Sequence, residues 1–225
     1  MVDKAKAEVK RGVQWVLMAI LLTAFAIFII LLGSELWWRS RHPHDEFSRK
    51  FIHITVGSFV AFWPFFLSWQ QIRLLAVGFI IVVLLSKWLN IFQAIHSVQR
   101  PTWGEIYFAI VVGLITYVTH SKAIYATALL QMSLADGLAA VIGVRYGKRH
   151  RYFVFGHPKS LAGTLTFFVV SLAILLGYSL HSHHLSAAYI VVLSLLSALV
   201  ENLAVGGLDN LIVPLVVAVV LTQIR

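Results

Sequence analysis

The sequence predicts an all-α integral membrane protein, a polytopic transmembrane helical bundle of about eight helices. The chain of 225 residues is 60% hydrophobic and only 12% charged. Its mean hydropathy of +0.86 lies well above that of ordinary soluble domains. Several apolar runs are long enough to cross a hydrocarbon core of about 30 Å, which takes roughly 20 helical residues. The strict two-residue alternation of a membrane β-barrel is absent, so helices are favoured.

The first apolar run covers about residues 13 to 32, after a polar start with four basic residues. Further apolar segments predict helices near residues 51 to 68, 72 to 89, 106 to 119, 123 to 144, 161 to 180, 186 to 200 and 211 to 224. Three of these, which begin at 106, 186 and 211, are short for a full crossing. They either tilt little or have polar flanks at membrane depth within the protein. No repeat or linker divides the chain, so residues 1–225 are expected to form a single integral-membrane domain.

Strict alternation of the helices places four loops on one side of the membrane, at residues 33–50, 90–105, 145–160 and 201–210. We call this side the motif face, because these loops and the adjoining helix ends hold nearly all the unusual polar clusters. The clusters are RKFIH (49–53), RPTWGE (100–105), GKRHRYFVFGHPKSLAGT (147–164) and ENLAVGGLDN (201–210). Eleven lysines and arginines fall on the motif face and seven on the opposite face, which favours a cytoplasmic motif face. The four basic residues before the first helix argue for the reverse orientation.

Composition narrows the chemistry. The chain has no cysteine, which excludes disulfides, thiol nucleophiles and thiolate metal sites. A metal must therefore be held by oxygen or imidazole ligands, and hard cations such as Mg²⁺ are the natural candidates. The net charge of +9 is typical of basic loops that set membrane orientation and meet anionic headgroups, so no nucleic-acid partner is expected.

Four carboxylates lie in or at the edge of apolar segments, namely Glu105, Asp136, Glu201 and Asp209. An unpaired charge at such depth costs at least about 2.5 to 3.5 kcal/mol. Each carboxylate can be compensated by a basic neighbour or by capping a helix, whereas one divalent cation would compensate several at once. In SLADGLAAVIGVRYGK, Asp136 precedes Val144 by eight residues, so a helix would place it about 12 Å below the motif face.

Two further motifs suit phosphate and metal binding. In GHPKSLAGT, Lys159 and Ser160 are expected at the start of a helix, where unpaired N–H groups, the helix dipole and the lysine charge would bind phosphate. The alternative is an interfacial anchor, and the spacing is not that of a Walker P-loop. In ENLAVGGLDN, Glu201 and Asp209 flank a flexible Gly-Gly turn. They either converge on one ion or belong to an exposed loop.

Five motifs follow one another along the chain, namely RKFIHI, RPTWGEIYF, LADGLAAVIGVRYGK, KSLAGT and ENLAVGGLDNLIVP. Together they resemble the CTP-dependent lipid kinases, which include dolichol kinase, phytol kinase and CTP-dependent diacylglycerol kinase. The resemblance is closest to the phytol kinase branch, covers about residues 49–215 as the catalytic motif region, and extends more distantly to the CDP-diacylglycerol synthases. Residues 1–48 form a helix and loop outside these motifs.

This resemblance implies an enzyme that moves the γ-phosphate of CTP to the hydroxyl of a membrane lipid alcohol, with Mg²⁺ as cofactor. The implied metal ligands are Asp136, Glu201 and Asp209, and the implied catalytic residues are Asp136, Lys159 and Glu105. Either Glu105 or Asp136 is the group that accepts the hydroxyl proton. The implied nucleotide-binding residues are Arg49, Lys50, His53, Arg100, Lys148, Lys159, Ser160, Gly163, Thr164 and Asn210.

Several alternatives stay open at this point. The chain is shorter than typical dolichol kinases, which favours a shorter isoprenoid alcohol such as phytol or geranylgeraniol. Diacylglycerol is the next acceptor, and a cytidylyltransferase would release pyrophosphate instead of CDP. A small ion or solute transporter is disfavoured, because the polar motifs crowd one face and no inverted repeat is evident. The sequence leaves open whether the protein forms oligomers.

Overall fold

The computed structural model describes residues 2–41, 45–89, 103–182 and 185–224, and most of this length is helical. The helices are α1 (Val2–Arg41), α2 (Asp45–Ala61), α3 (Trp69–Leu89), α4 (Gly104–Val118), α5 (Lys122–Leu130), α6 (Asp136–Tyr146), α7 (Leu161–His181), α8 (Ala187–Leu203) and α9 (Asp209–Gln223). A π-helical turn, Gln131–Ala135, joins α5 to α6. Short 3₁₀ turns occupy Trp63–Phe65 and Gly147–Arg149. The all-α prediction is confirmed.

Four of the described helical stretches are long and apolar enough to cross a membrane, which makes this an integral membrane protein. They are Gln14–Trp37, Trp69–Ser86, Lys122–Arg149 and Leu161–His181. The helices Gly104–Val118, Ala187–Leu203 and Asp209–Gln223 are apolar but shorter, as their sequences predict.

Two boundaries near the amino terminus differ from the sequence prediction. The expected loop at 33–50 is wrong, because α1 continues to Arg41 and α2 begins at Asp45. Hydropathy marks where a chain becomes polar, whereas a helix ends only where its backbone meets a cap or a breaker. The predicted helix at 51–68 ends early, at Ala61, because Pro64 lies in the apolar run and forms a 3₁₀ turn with the buried Trp63.

The segment predicted as a loop at 145–160 contains an antiparallel hairpin of β1 (Arg151–Val154) and β2 (His157–Ser160). Its two-residue turn has positive φ angles of 48° at Phe155 and 78° at Gly156, as two-residue hairpins commonly require. The expectation that Lys159 starts a helix is therefore wrong, since Lys159 lies in β2. Ser160 is the N-cap of α7, and its Oγ accepts a hydrogen bond of 3.2 Å from the Gly163 N–H.

One continuous helical stretch runs through the centre of the bundle, and it consists of α5, the π-helical turn and α6. Ile124, Tyr125 and Leu129 are fully buried, and this stretch packs against α2, α7 and α9. Helices α6 and α7 approach closely, because a Cβ built on Gly163 would lie 3.0 Å from the Ala139 carbonyl oxygen. This packing fixes Asp136, the first residue of α6, deep inside the protein with only 5% of its surface exposed.

Candidate active site

Three carboxylates from distant parts of the chain meet in the structure. Asp136 begins α6, Glu201 lies in the last turn of α8, and Asp209 begins α9. One carboxylate oxygen of each residue lies within 4.8 Å of the other two. We call these three residues the carboxylate cluster. Their convergence brings together the LADG and ENLAVGGLDN motifs, which are more than 60 residues apart in the sequence.

The turn between α8 and α9 depends on glycine. Gly206 and Gly207 have φ angles of 67° and 94°, a region that glycine adopts without a steric penalty. A Cβ on Gly207 would also lie 2.7 Å from the Gly104 backbone nitrogen. The chain can therefore reverse tightly against the start of α4, and this reversal places Asp209 beside Glu201.

Each of two lysines forms an ion pair with one member of the cluster. Lys50 Nζ lies 2.6 Å from Asp136 Oδ2, and both side chains are buried. Lys159 Nζ lies 2.5 Å from Glu201 Oε1 and donates a hydrogen bond of 2.9 Å to the Glu201 carbonyl oxygen. Three carboxylates thus face two ammonium groups, which compensates much of the cost of burying the acids.

His53 lies behind the cluster, one helical turn after Arg49. Its Nε2 is 3.0 Å from the Met132 carbonyl oxygen, which belongs to the π-helical turn, and 3.6 Å from Asp136 Oδ2. Because a carbonyl oxygen can only accept a hydrogen bond, Nε2 carries the proton and donates. The ring therefore contacts both the π-helical turn and the carboxylate that follows it.

The hairpin is attached to the helices by a hydrogen-bonded group. The Tyr152 hydroxyl donates to Asn202 Oδ1, and it lies 2.5 Å from Thr164 Oγ1. Thr164 in turn contacts the Ser160 carbonyl oxygen and Asn202 Oδ1, each at 3.2 Å. These contacts join β1 to α7 and α8 and hold Lys159, on the paired strand, above Glu201.

A cavity of about 510 Å³ opens beside the carboxylate cluster. Cationic groups from α2 and the hairpin line it, together with small residues of α6 and α7 and the Gly-Gly turn. We call it the polar cavity. Its lining residues with charged, imidazole or hydroxyl side chains are Arg49, Lys50, Asp136, Arg151, His157, Lys159, Ser160, Thr164, Glu201 and Asp209.

Most residues singled out from the sequence line this cavity. They are the three members of the carboxylate cluster with Arg49, Lys50, Lys159, Ser160, Gly163 and Thr164. Glu105, His53 and Asn210 instead line a second, apolar cavity, to which Arg49 also contributes. Lys148 is exposed and does not line the polar cavity of the described structure. Arg100 lies outside the described residues.

Sequence reasoning missed Arg151, His157, Tyr152 and Asn202. All four lie in the hairpin or contact it, and the sequence predicts a loop in that segment. The run of aromatic and β-branched residues in RYFV, followed by Phe-Gly, is the sequence signal that favours a strand there. Asn202 follows Glu201 directly, but no spacing pattern pairs it with Tyr152.

Comparison with known proteins gives the family. The chain is 33% identical over 207 residues to the Synechocystis sp. phytol kinase. The aligned region covers 88% of this chain and 87% of that protein. It is also similar to two probable chloroplastic phytol kinases of Glycine max, at 29% identity over 193 residues and 27% over 158 residues. These matches span 63% and 51% of the plant proteins. No family model and no solved structure matches the chain. The chain therefore belongs to the phytol kinase branch of the CTP-dependent lipid kinase family and is a kinase with an alcohol acceptor.

Proposed function

We propose that the protein transfers the γ-phosphate of CTP to an isoprenoid alcohol of the phytol, geranylgeraniol or polyprenol type, with Mg²⁺. The observation that supports this most directly is the carboxylate cluster, with its three oxygens within 4.8 Å and two lysines in contact, on the wall of the polar cavity. Phosphoryl transfer requires mainly positioning and charge neutralisation, and this cavity offers groups of both signs.

The carboxylate cluster suits Mg²⁺ in ligand type. Mg²⁺ binds oxygen ligands at about 2.0 to 2.1 Å in an octahedron, so opposite ligands lie about 4.1 Å apart. Adjacent ligands lie about 2.9 Å apart. The oxygens of Asp136, Glu201 and Asp209, now within 4.8 Å of one another, would therefore have to move closer together around a bound ion. When bound, the ion neutralises charge on the β- and γ-phosphates.

The lysines supply the second part of the proposal. Lys50 and Lys159 now neutralise Asp136 and Glu201. A metal ion on the carboxylates would take over that neutralisation, so both ammonium groups would become available to phosphate oxygens of the nucleotide. Arg49 and Arg151 line the same cavity and add positive charge. Ser160, Gly163 and Thr164 line the cavity at the start of α7, where the helix dipole favours an anion, although the Gly163 N–H already donates to Ser160 Oγ.

In the proposed reaction the acceptor oxygen forms a bond to the γ-phosphorus, and the bond from that phosphorus to the β-bridging oxygen breaks. The bonding electrons leave with CDP, and the hydroxyl proton passes to a carboxylate, either Asp136 or Glu105. Asp136 belongs to the carboxylate cluster, whereas Glu105 lines the adjacent apolar cavity. Lys159 stabilises the charge on the transferred phosphoryl group.

The test is an assay of the purified protein with a lipid extract and γ-labelled CTP or ATP in parallel. We expect CTP to label an isoprenoid alcohol and CDP to be released. Label in phosphatidic acid would instead identify a diacylglycerol kinase. Release of pyrophosphate would identify a cytidylyltransferase, and solute flux into proteoliposomes without nucleotide would favour a transporter.

We further propose a single membrane domain of eight crossings, with the catalytic motif region at 49–215 and the motif face in the cytoplasm. The excess of basic residues on that face supports the orientation. Because the chain lacks cysteine, single cysteines can be introduced directly at Arg149 and His181, two exposed positions. An impermeant thiol reagent added to intact cells should label only the cysteine at position 181. Labelling of both positions, or of position 149 alone, would contradict this topology.

A further inference from the structure

The second cavity, of about 70 Å³, lies between α1, α2, α3 and α4 at the start of α9. Apolar side chains form most of its wall, among them Leu31, Ile52, Val56, Phe79, Val83 and Phe108. Neighbouring residues on the outer faces of the same helices, such as Phe28 on α1 and Val82 on α3, are exposed. The cavity therefore lies just inside the lipid-facing surface.

This apolar cavity adjoins the polar cavity. Arg49 lines both. His53 lines the apolar cavity and lies 3.6 Å from Asp136, which lines the polar one. Asn210, another lining residue, follows Asp209 of the carboxylate cluster directly. A molecule that fills the apolar cavity thus has one end next to the proposed phosphate site.

Asn210 supplies the independent observation. Its Nδ2 donates a hydrogen bond of 3.1 Å to the Gly104 carbonyl oxygen, which fixes the orientation of the amide. Its Oδ1 is buried and has no hydrogen-bond partner among the described residues. Buried carbonyl oxygens are nearly always hydrogen-bonded, so this atom calls for a donor that the structure does not hold. An alcohol with an apolar chain offers both interactions: its carbons would pack against the apolar wall, and its hydroxyl group would donate a hydrogen bond to Asn210 Oδ1.

We propose that the apolar cavity binds the hydroxyl end of the acceptor alcohol, whose O–H donates to Asn210 Oδ1 in the bound ground state and turns to the carboxylate when the proton is transferred. This inference rests on the proposed lipid-alcohol kinase function and adds where the acceptor binds. The cavity is small, so it holds only the carbons nearest the hydroxyl, and the rest of the alcohol extends beyond it toward the lipid-facing surface.

Val83→Trp tests the proposal, with Val82→Trp as the matched control on the same helix. Val83 is buried and lines the cavity, whereas Val82 is 47% exposed on the lipid side. Filling the cavity should lower kcat/KM for the isoprenoid alcohol by at least about tenfold. The rise in melting temperature caused by Mg²⁺ and CTP should stay as in the parent. Val82→Trp should match the parent in both measurements.

Asn210→Leu provides a second, smaller change. Loss of one hydrogen bond should raise KM for the alcohol by about tenfold and leave the apparent affinity for CTP unchanged. A lowered affinity for CTP with unchanged KM for the alcohol would overturn the assignment and place Asn210 at the nucleotide. Normal alcohol kinetics in folded Val83→Trp protein would exclude this cavity as the acceptor site. If the parent itself labels no lipid alcohol from CTP, the proposed function fails before any variant is compared.

Discussion

Asp136→Asn is expected to slow phosphoryl transfer by about a thousandfold or more, the largest effect of any single substitution in this protein. The change keeps the size of the side chain but removes one of the three charges in the carboxylate cluster. Metal ions in such sites contribute several kcal/mol to stabilising the transition state, and roughly 4 kcal/mol corresponds to a factor of a thousand. The measurement is label transfer from CTP over a series of Mg²⁺ concentrations. Activity near that of the parent in the folded variant would exclude the metal role.

Stability must be measured beside activity, because Asp136 also neutralises Lys50. The substitution strands a buried ammonium group, which should cost about 3 to 5 kcal/mol of unfolding free energy. The double variant Lys50→Met, Asp136→Asn removes both charges and should recover much of that loss. The double variant should remain inactive, and Mg²⁺ with CTP should no longer raise its melting temperature. Recovery of activity would show that Asp136 serves only to neutralise Lys50.

Lys159→Ala should lower kcat/KM for CTP by about a hundredfold, the loss typical of one charged donor to a transferring group. Lys159 lines the polar cavity from β2 and now contacts Glu201, so it can reach a phosphate without a change of fold. The Lys159 side chain is only 18% exposed, and its removal leaves the buried Glu201 carboxylate without its ion pair, which should lower stability. The melting temperature must therefore be measured beside activity, and in the folded variant KM for the alcohol should change little.

Lys148→Ala is the matched comparison, since both lysines belong to the same motif. Lys148 is exposed and lies outside the lining of the polar cavity in the described structure. Its removal should change kcat/KM for CTP much less than removal of Lys159. A larger effect at Lys148 would move the proposed triphosphate site away from Glu201 and toward the 3₁₀ turn at Gly147–Arg149.

The sequence predicts the helical class, and the family resemblance implies which acids act together. Because charged groups are costly in apolar segments, four acids stand out in the sequence. The resemblance implies a metal site for three of them, Asp136, Glu201 and Asp209, and the structure places the oxygens of these three together. Their binding of Mg²⁺ remains a prediction. The short helices α4, α8 and α9 were also recognisable, because their apolar runs end at polar clusters.

Other features depend on packing and could not be read from the sequence. The ion pair of Lys50 with Asp136 joins residues that are 86 positions apart. It forms because α2 packs against α6, and the sequence does not show this packing. His53, Glu105 and Asn210 line the apolar cavity and not the polar one. This placement likewise depends on how each helix is rotated against its neighbours. The hairpin could not be predicted because its strands have only four residues each, too few to show a clear alternation of apolar and polar residues.

The π-helical turn before Asp136 makes the number of residues in this helix as important as their identity. A π turn contains one residue more than the α-helix it interrupts. Deleting one residue between Gln131 and Ala135 would let the backbone return to an unbroken α-helix, so the helix itself would survive. Because the π turn takes up its extra residue within the turn, Leu129 and Asp136 should keep nearly the same relative orientation after that deletion. Deleting a residue from the α-helical part between Leu129 and the π turn would instead rotate Asp136 by about 100° relative to the preceding helix and separate the core from the carboxylate cluster.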